Sequence, residues 1–118
     1  MSKAEFIKNI EKCDLNIQRI KEIEKKYKTN LTDFTAHAVS YADEQGFFDE
    51  ERRALSYSEI LNPIKFLKFD FIKAGLIPIV DTYDNTYVVY AIDEGKWAKF
   101  SLSDRVLFKK KDTFKEVV

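Results

Sequence analysis

Apolar residues in the C-terminal half of the chain follow the period of a β-sheet. Between Gly75 and Ser101, three runs rich in β-branched and aromatic residues are separated by short clusters of Asp, Asn and Gly. This pattern is typical of successive antiparallel strands joined by tight turns. Asp84, Asn85 and Gly95 stand where turns need a left-handed backbone. The stretch predicts a β-meander, and Pro78, which lacks a backbone donor, predicts a strand start or a sheet edge.

The N-terminal third follows a helical period instead. From Phe6 onward, apolar residues recur in steps of four and three, which is the stripe of an amphipathic helix. One helix from Lys3 to Lys28 would be about 39 Å long at 1.5 Å per residue, about as long as the whole domain is wide. Asn16 can cap a second helix, so we favour two helices packed on the sheet. The heptad spacing also allows a coiled coil, although Glu24 interrupts the stripe.

The next segment predicts a helix and then a loop. Asn30 or Thr32 can cap a helix reaching toward Gln45, with Gly46 as its C-terminal stop. Residues 47–53 predict a loop, with or without a helical turn. Its two adjacent aromatic residues have two interpretations, as core anchors or as an exposed binding knob.

Two capping boxes indicate short helices. Ser56 and Glu59 have the spacing in which each side chain hydrogen-bonds the backbone of the other, and this predicts a short helix through Leu61. Thr113 and Glu116 repeat the pattern and predict a closing helical turn.

The segment that follows the meander is ambiguous. Val106 and Phe108 alternate like residues of a strand, and three lysines, Lys109 to Lys111, follow them.

Within the meander, Trp97 is the first residue of a strand after the Gly95 turn. We therefore expect its ring to fold back on the sheet and be buried.

The motifs of the meander, taken together, resemble the SUKH superfamily. They are Leu-Ile-Pro-Ile with Asp81, the polar loop with Asp84 and Asn85, Tyr-Val-Val-Tyr from Tyr87, and the Asp-Glu-Gly-Lys-Trp turn that ends at Trp97. The resemblance runs from about Ile20 to the C-terminus. It implies one α+β domain over residues 1–118, with an antiparallel sheet packed against N-terminal helices. It also implies the function of most bacterial members of the superfamily, which is toxin immunity.

Composition and charge narrow the classes of function. The 118 residues are 45% hydrophobic and 14% aromatic, with only 3 Gly and 2 Pro, which indicates a single packed domain. The net charge of +0 gives no global attraction to nucleic acid or to anionic lipid. No run approaches the roughly 18 apolar residues of a membrane span. A single Cys without a secretory segment is typical of the cytoplasm.

The residue types that carry catalysis or bind metals are sparse. His37 is the only His and Cys13 the only Cys, and neither has a partner nearby in sequence. The carboxylates of the meander lack the spacing of a calcium loop, and 3 isolated Gly residues cannot build a phosphate loop. We therefore expect no enzyme activity, no cofactor and no metal. A hydrolase would require Asp81 and Asp84 to meet a base in one pocket.

With catalysis and metal binding disfavoured, we expect this chain to function by binding another protein. The predicted contact surface is an acidic rim that bears tyrosines: Asp81, Tyr83, Asp84, Asn85, Tyr87, Asp93 and Glu94. Tyrosine offers a large contact area at low entropy cost, and carboxylates attract a basic partner such as a nuclease. If Tyr87 faces the core instead, its loss would lower stability rather than affinity.

Two hypotheses follow from this rim. In the first, the protein is an immunity protein that binds and blocks a cognate toxin, as the SUKH resemblance implies. In the second, it is a regulatory or scaffold module that binds a cellular protein without a toxin. In both cases we expect a cytoplasmic monomer that contacts neither nucleic acid nor a membrane directly.

Overall fold

The computed structural model describes residues 2–42 and 49–118. In these ranges, three helices come first: α1 Lys3–Lys12, α2 Ile17–Tyr27 and α3 Asp33–Tyr41. A short strand and three short helices follow: β1 Arg53–Ala54, α4 Tyr57–Leu61, α5 Pro63–Leu67 and α6 Phe71–Ala74. Four longer strands and a last helical turn complete the fold: β2 Leu76–Asp81, β3 Thr86–Ala91, β4 Lys96–Ser101, β5 Val106–Lys111 and α7 Phe114–Val117. This is the α+β class that the sequence predicted.

The break between the first two helices is confirmed. The Asn16 side chain accepts a hydrogen bond from the Arg19 amide and caps α2, while Ser2 caps α1 in the same way. Phe6 in α1 and Tyr27 in α2 are buried.

Across the described ranges, none of the helices has the length and apolar character needed to cross a membrane.

The sheet is the predicted meander, with one additional strand. Its strand order is β1-β2-β3-β4-β5, and every neighbouring pair is antiparallel. Asn85 and Gly95 both adopt a φ of 62°, as predicted, whereas the left-handed backbone predicted at Asp84 lies instead at Tyr83, with a φ of 68°. Pro78 neither starts a strand nor lies in an edge strand. It lies inside β2, beside a bulge and outside the short pairing with β1, where its missing donor does little harm.

One face of the sheet, here called the Phe100 face, is covered by the segment before β2. Tyr87 and Phe100 lie directly opposite each other on β3 and β4. The Phe71 ring of α6 packs edge-on against both, with centroids 5.3 Å from Tyr87 and 5.7 Å from Phe100. The Phe69 ring adds a contact to Phe100 at 5.1 Å. This half of the core is built from residues close in sequence to the sheet.

The other face, here called the Trp97 face, is covered by helices from both ends of the chain. Trp97 lies opposite Tyr90 and is only 4% exposed, so its predicted burial is confirmed. The rings of Phe34 from α3 and Phe114 from α7 contact the indole at centroid distances of 5.7 Å and 5.1 Å. Aromatic pairs at these distances stabilise beyond the area that they bury.

Several local predictions need correction. The segment predicted as a loop up to residue 53 ends in β1, and the stretch between α4 and β2 forms α5 and α6, which were not predicted. The helix α3 ends at Tyr41 because the backbone of Ala42 is no longer helical. Three residues of these predictions lie outside the described residues. They are Gly46, the predicted stop of the helix, and Phe47 and Phe48, the two aromatic residues of the loop.

The two capping boxes have different outcomes. At α4 both reciprocal hydrogen bonds between Ser56 and Glu59 are present. At α7 the helical turn forms, but the Thr113 hydroxyl donates to the Glu116 carboxylate at 2.8 Å and caps no backbone amide. The helix there is held by burial of Phe114 and Val117, so packing replaces the cap.

Candidate protein-binding surface

The turn between β2 and β3, residues 82–85, is fixed by its own hydrogen bonds. The Thr82 hydroxyl lies 2.6 Å from Asp84 Oδ1 and 2.7 Å from the Thr86 carbonyl oxygen. The Tyr83 amide donates to Asp81 Oδ1 at 2.8 Å. The hydrogen bond from Thr82 lowers the pKa of the Asp84 carboxyl, which therefore stays charged at neutral pH. These contacts hold the turn in one conformation.

This turn exposes an aromatic ring on a strained backbone. Tyr83 has a φ of 68° and is 49% exposed. The left-handed region suits Asn85, but for tyrosine it costs roughly 1 kcal/mol because the Cβ approaches the following carbonyl. Strain of this kind concentrates at functional sites, where the surrounding structure maintains it. Sequence patterns predicted Tyr83 as a contact residue but carried no sign of its backbone.

Asp81 is largely occupied inside the protein. Arg53 forms two hydrogen bonds with Glu59, at 2.8 Å and 2.9 Å, and a third with Asp81 at 3.2 Å. These bonds, above all those with Glu59, raise the pKa of the Arg53 guanidinium. The Asp81 side chain is only 16% exposed. Its charge is therefore mostly neutralised locally and attracts a partner weakly.

Tyr87 belongs to the core. It is 8% exposed, its ring packs on Phe71, and burial raises the pKa of its hydroxyl. The role of a central contact residue does not fit this position, since the ring could reach a partner only if the Phe100 face opened. The alternative that Tyr87 faces the core matches its burial.

Asp93 and Glu94 lie at the opposite end of β3 from the turn at residues 82–85. The six residues of β3 separate the two turns by about 20 Å at a rise of 3.4 Å per residue. Glu94 Oε1 also accepts a hydrogen bond from Lys110 Nζ at 2.8 Å. The sequence-predicted residues therefore do not form one acidic edge. Tyr83, Asp84 and Asn85 remain as an exposed group.

Basic residues lie close to this turn. A groove of about 300 Å³ opens beside it on the Trp97 face, and its lining includes Arg52, Thr82, Asp84, Val88, Lys99 and Val118. Partial burial, and then the charge of Lys109, lower the pKa of the Lys99 ammonium, whereas Asp84 opposes that shift. The surroundings of the turn are thus of mixed charge, which net charge and sequence runs did not indicate.

The structure also brings Cys13 and His37 together. The Cys13 sulfur lies 3.8 Å from His37 Nδ1, and that nitrogen lies 3.1 Å from the Cys13 carbonyl oxygen. The sulfur is in turn 3.3 Å from the His37 carbonyl oxygen. These reciprocal contacts join the end of α1 to α3. Sequence patterns gave no sign of this pair, because 24 residues separate its members.

Neither the pair nor the carboxylates build a metal centre. In residues 2–42 and 49–118, no three side chains of His, Cys, Asp or Glu are grouped so that they could hold a metal ion.

No family model, curated protein or solved structure matches this chain. The SUKH resemblance therefore stays a prediction from the motifs of the meander.

Proposed function

We propose that this protein is a non-catalytic immunity protein, which binds a cognate bacterial toxin and neutralises it by covering its surface. The resemblance of the meander to SUKH proteins motivates the class. The observation that carries the proposal is the exposed Tyr83 on the turn at residues 82–85, whose backbone is strained and whose conformation is fixed by hydrogen bonds.

A rigid, exposed tyrosine suits an inhibitor that works by binding alone. Tyrosine residues in the centre of interfaces often contribute most of the affinity. Because the turn is already ordered by Thr82 and Asp81, little conformational entropy is lost when a partner covers the ring. The same turn presents Asp84 and Asn85 as hydrogen-bonding groups next to the ring.

The charges of the predicted rim have a smaller part in this proposal than the sequence suggested. Asp81 is paired with Arg53, and Glu94 is paired with Lys110 at the far end of β3. We therefore expect Tyr83 to determine how long the complex lasts, and Asp84 to affect mainly the rate of association at low salt.

The experiment uses the product of the gene adjacent to the gene of this protein as the candidate toxin. The variant is Tyr83→Asn, because asparagine tolerates the left-handed backbone and lacks the phenol ring. We expect Kd to rise by about 30-fold, on the order of 2 kcal/mol, through faster dissociation. The free energy of unfolding should stay within about 1 kcal/mol of the wild type, since the turn conformation is kept.

Phe66→Ala is the matched control, because Phe66 on α5 is a similarly exposed aromatic residue, at 45%. It should leave both Kd and protection of cells unchanged. The proposal is wrong if Tyr83→Asn binds the toxin and protects cells as well as the wild type. If the adjacent gene product binds but is not toxic, the regulatory or scaffold hypothesis replaces the immunity hypothesis.

A further inference from the structure

The outer edge of β5 is an open side of the sheet. β5 is last in the strand order, and no described segment pairs with its outer side. The strand is six residues long, and all of its residues except Leu107 are exposed. Unpaired backbone groups along such an edge are a template for another strand.

Two large apolar side chains stand on this edge in contact with solvent. Val106 is 50% exposed and Phe108 is 43% exposed. Val106 lies opposite Ser101 on β4 and Phe108 lies opposite Lys99, so both residues point to the Trp97 face. They form an exposed apolar pair. Solubility alone would favour polar side chains at these positions.

Lysines lie next to Phe108. Lys99 lies beside Phe108 on the same face, and the strand continues with Lys109, Lys110 and Lys111. The ammonium group of Lys99 is partly buried and close to the charge of Lys109, which lowers its pKa. An anionic group placed here would stabilise the charged form of Lys99.

We propose that the β5 edge binds an extended, acidic segment of a partner protein, which pairs with β5 as an additional strand of the sheet. Carboxylates of the segment would lie against Lys99 and Lys111, and its apolar residues would cover Val106 and Phe108. This proposal goes beyond the proposed function, because it concerns a different surface and does not depend on a toxin.

Two other occupants, and an edge that binds nothing, account for these features less well. A second copy of the chain, paired edge to edge, would place a second set of three lysines on the adjoining strand, and the added positive charge would oppose that association. A nucleic acid would use the charges but would leave the strand hydrogen-bonding groups and Val106 unused. Lysines that only protect an edge from pairing do not account for the exposed Phe108 next to them.

The probe is a synthetic peptide, about eight residues long, in which Glu or Asp alternates with Val or Ile. Titration into the full chain, followed by amide NMR, should shift the amides of residues 105–111 most strongly. Methylating the peptide nitrogens on the side that pairs with β5 should abolish binding, whereas methylating those on the other side should not.

Variants of the edge test the side chains separately. Phe108→Ala should weaken peptide binding by about tenfold, and Lys111→Glu should weaken it and reduce its dependence on salt. Phe66→Ala is again the control, with an equally exposed ring on α5, and should bind as the wild type does. Circular dichroism of each variant separates lost binding from lost folding.

Several outcomes would overturn the proposal. They are absence of binding by all acidic peptides at millimolar concentration, amide shifts confined to other parts of the chain, and insensitivity to methylation of the peptide nitrogens. Binding of a single-stranded oligonucleotide with the same sensitivity to Phe108→Ala would assign the edge to nucleic acid. Self-association that Phe108→Ala abolishes would assign the edge to a second copy.

Discussion

The two edges of the sheet solve the same physical problem in different ways. β1 is two residues long, and Ala54 and the following Leu55 are buried. Arg53 holds the carboxylates of Glu59 and Asp81 together across this edge. β5 is three times as long, and its apolar residues Val106 and Phe108 are about half exposed. Short length and partly buried ion pairs close the first edge, while the second carries lysines, an exposed pair between Lys110 and Glu94, and an irregular backbone at Lys109.

This difference indicates which edge contributes more to stability. Side chains at the β1 edge touch the core and one another, so their loss should destabilise the fold. Side chains at the β5 edge touch solvent, so they can change with little effect on folding and are available for a partner. Substitutions at matched residues of the two edges should therefore differ in their effect on stability.

The largest expected difference concerns apolar side chains. Leu55 is 1% exposed next to β1, and Leu55→Ala should lower the free energy of unfolding by about 3 kcal/mol through lost burial and a cavity. Phe108→Ala on β5 should lower it by no more than about 1 kcal/mol, because the ring is already 43% exposed. Urea denaturation measures both. Equal losses would mean that β5 is as much a part of the core as β1.

Loss of an ion pair should also lower the free energy of unfolding more at the β1 edge than at the β5 edge, by a smaller margin. Arg53→Ala leaves the Glu59 and Asp81 carboxylates, each 16% exposed, without their cation, and should cost about 2 kcal/mol. Lys110→Ala breaks a pair with Glu94 whose members are 45% and 43% exposed, and should cost less than about 0.5 kcal/mol. Denaturant midpoints at low and high salt test this comparison. A loss for Lys110→Ala as large as that for Arg53→Ala would contradict it.

The local patterns of the sequence predicted the long elements well. Strand alternation, helical period and turn residues such as Gly95 act within a few positions, so the meander and the break between α1 and α2 could be read directly. The two edges of the sheet could not be predicted in this way. β1 has two residues and therefore no period, and it exists because Arg53 and Ala54 pair with the end of β2.

Sequence patterns also did not show how the residues of the predicted surface are arranged, for a related reason. All seven predicted contact residues are polar or aromatic, but only tertiary packing decides that Tyr87 faces Phe71 and that Asp81 meets Arg53. Distance along the chain also hid the pair of Cys13 and His37. The left-handed backbone of Tyr83 carries no sequence signal, since tyrosine is uncommon there.

The smallest expected effect is a pH dependence of stability that arises at Glu59, beside the β1 edge. Burial alone would raise the pKa of the Glu59 carboxyl, but hydrogen bonds from Arg53 and Ser56 and the charge of Arg53 outweigh burial and lower the pKa below its ordinary value of 4.5. A carboxyl with a lowered pKa in the folded state stabilises the fold above pH 4.5, and that stabilisation is lost as the pH falls through the lowered pKa.

The test compares the wild type with Glu59→Gln from pH 7 to pH 3. The wild type should be the more stable at pH 7, and its advantage should shrink by about 1 kcal/mol as Glu59 becomes protonated. Glu94→Gln is the control on the β5 side, where an exposed pair contributes little to stability at any pH. An advantage over Glu59→Gln that is constant down to pH 3 would show that the contacts between Arg53 and Glu59 do not depend on the carboxylate charge. In that case the β1 edge would be closed by its short length and by the burial of Leu55, and not by its ion pairs.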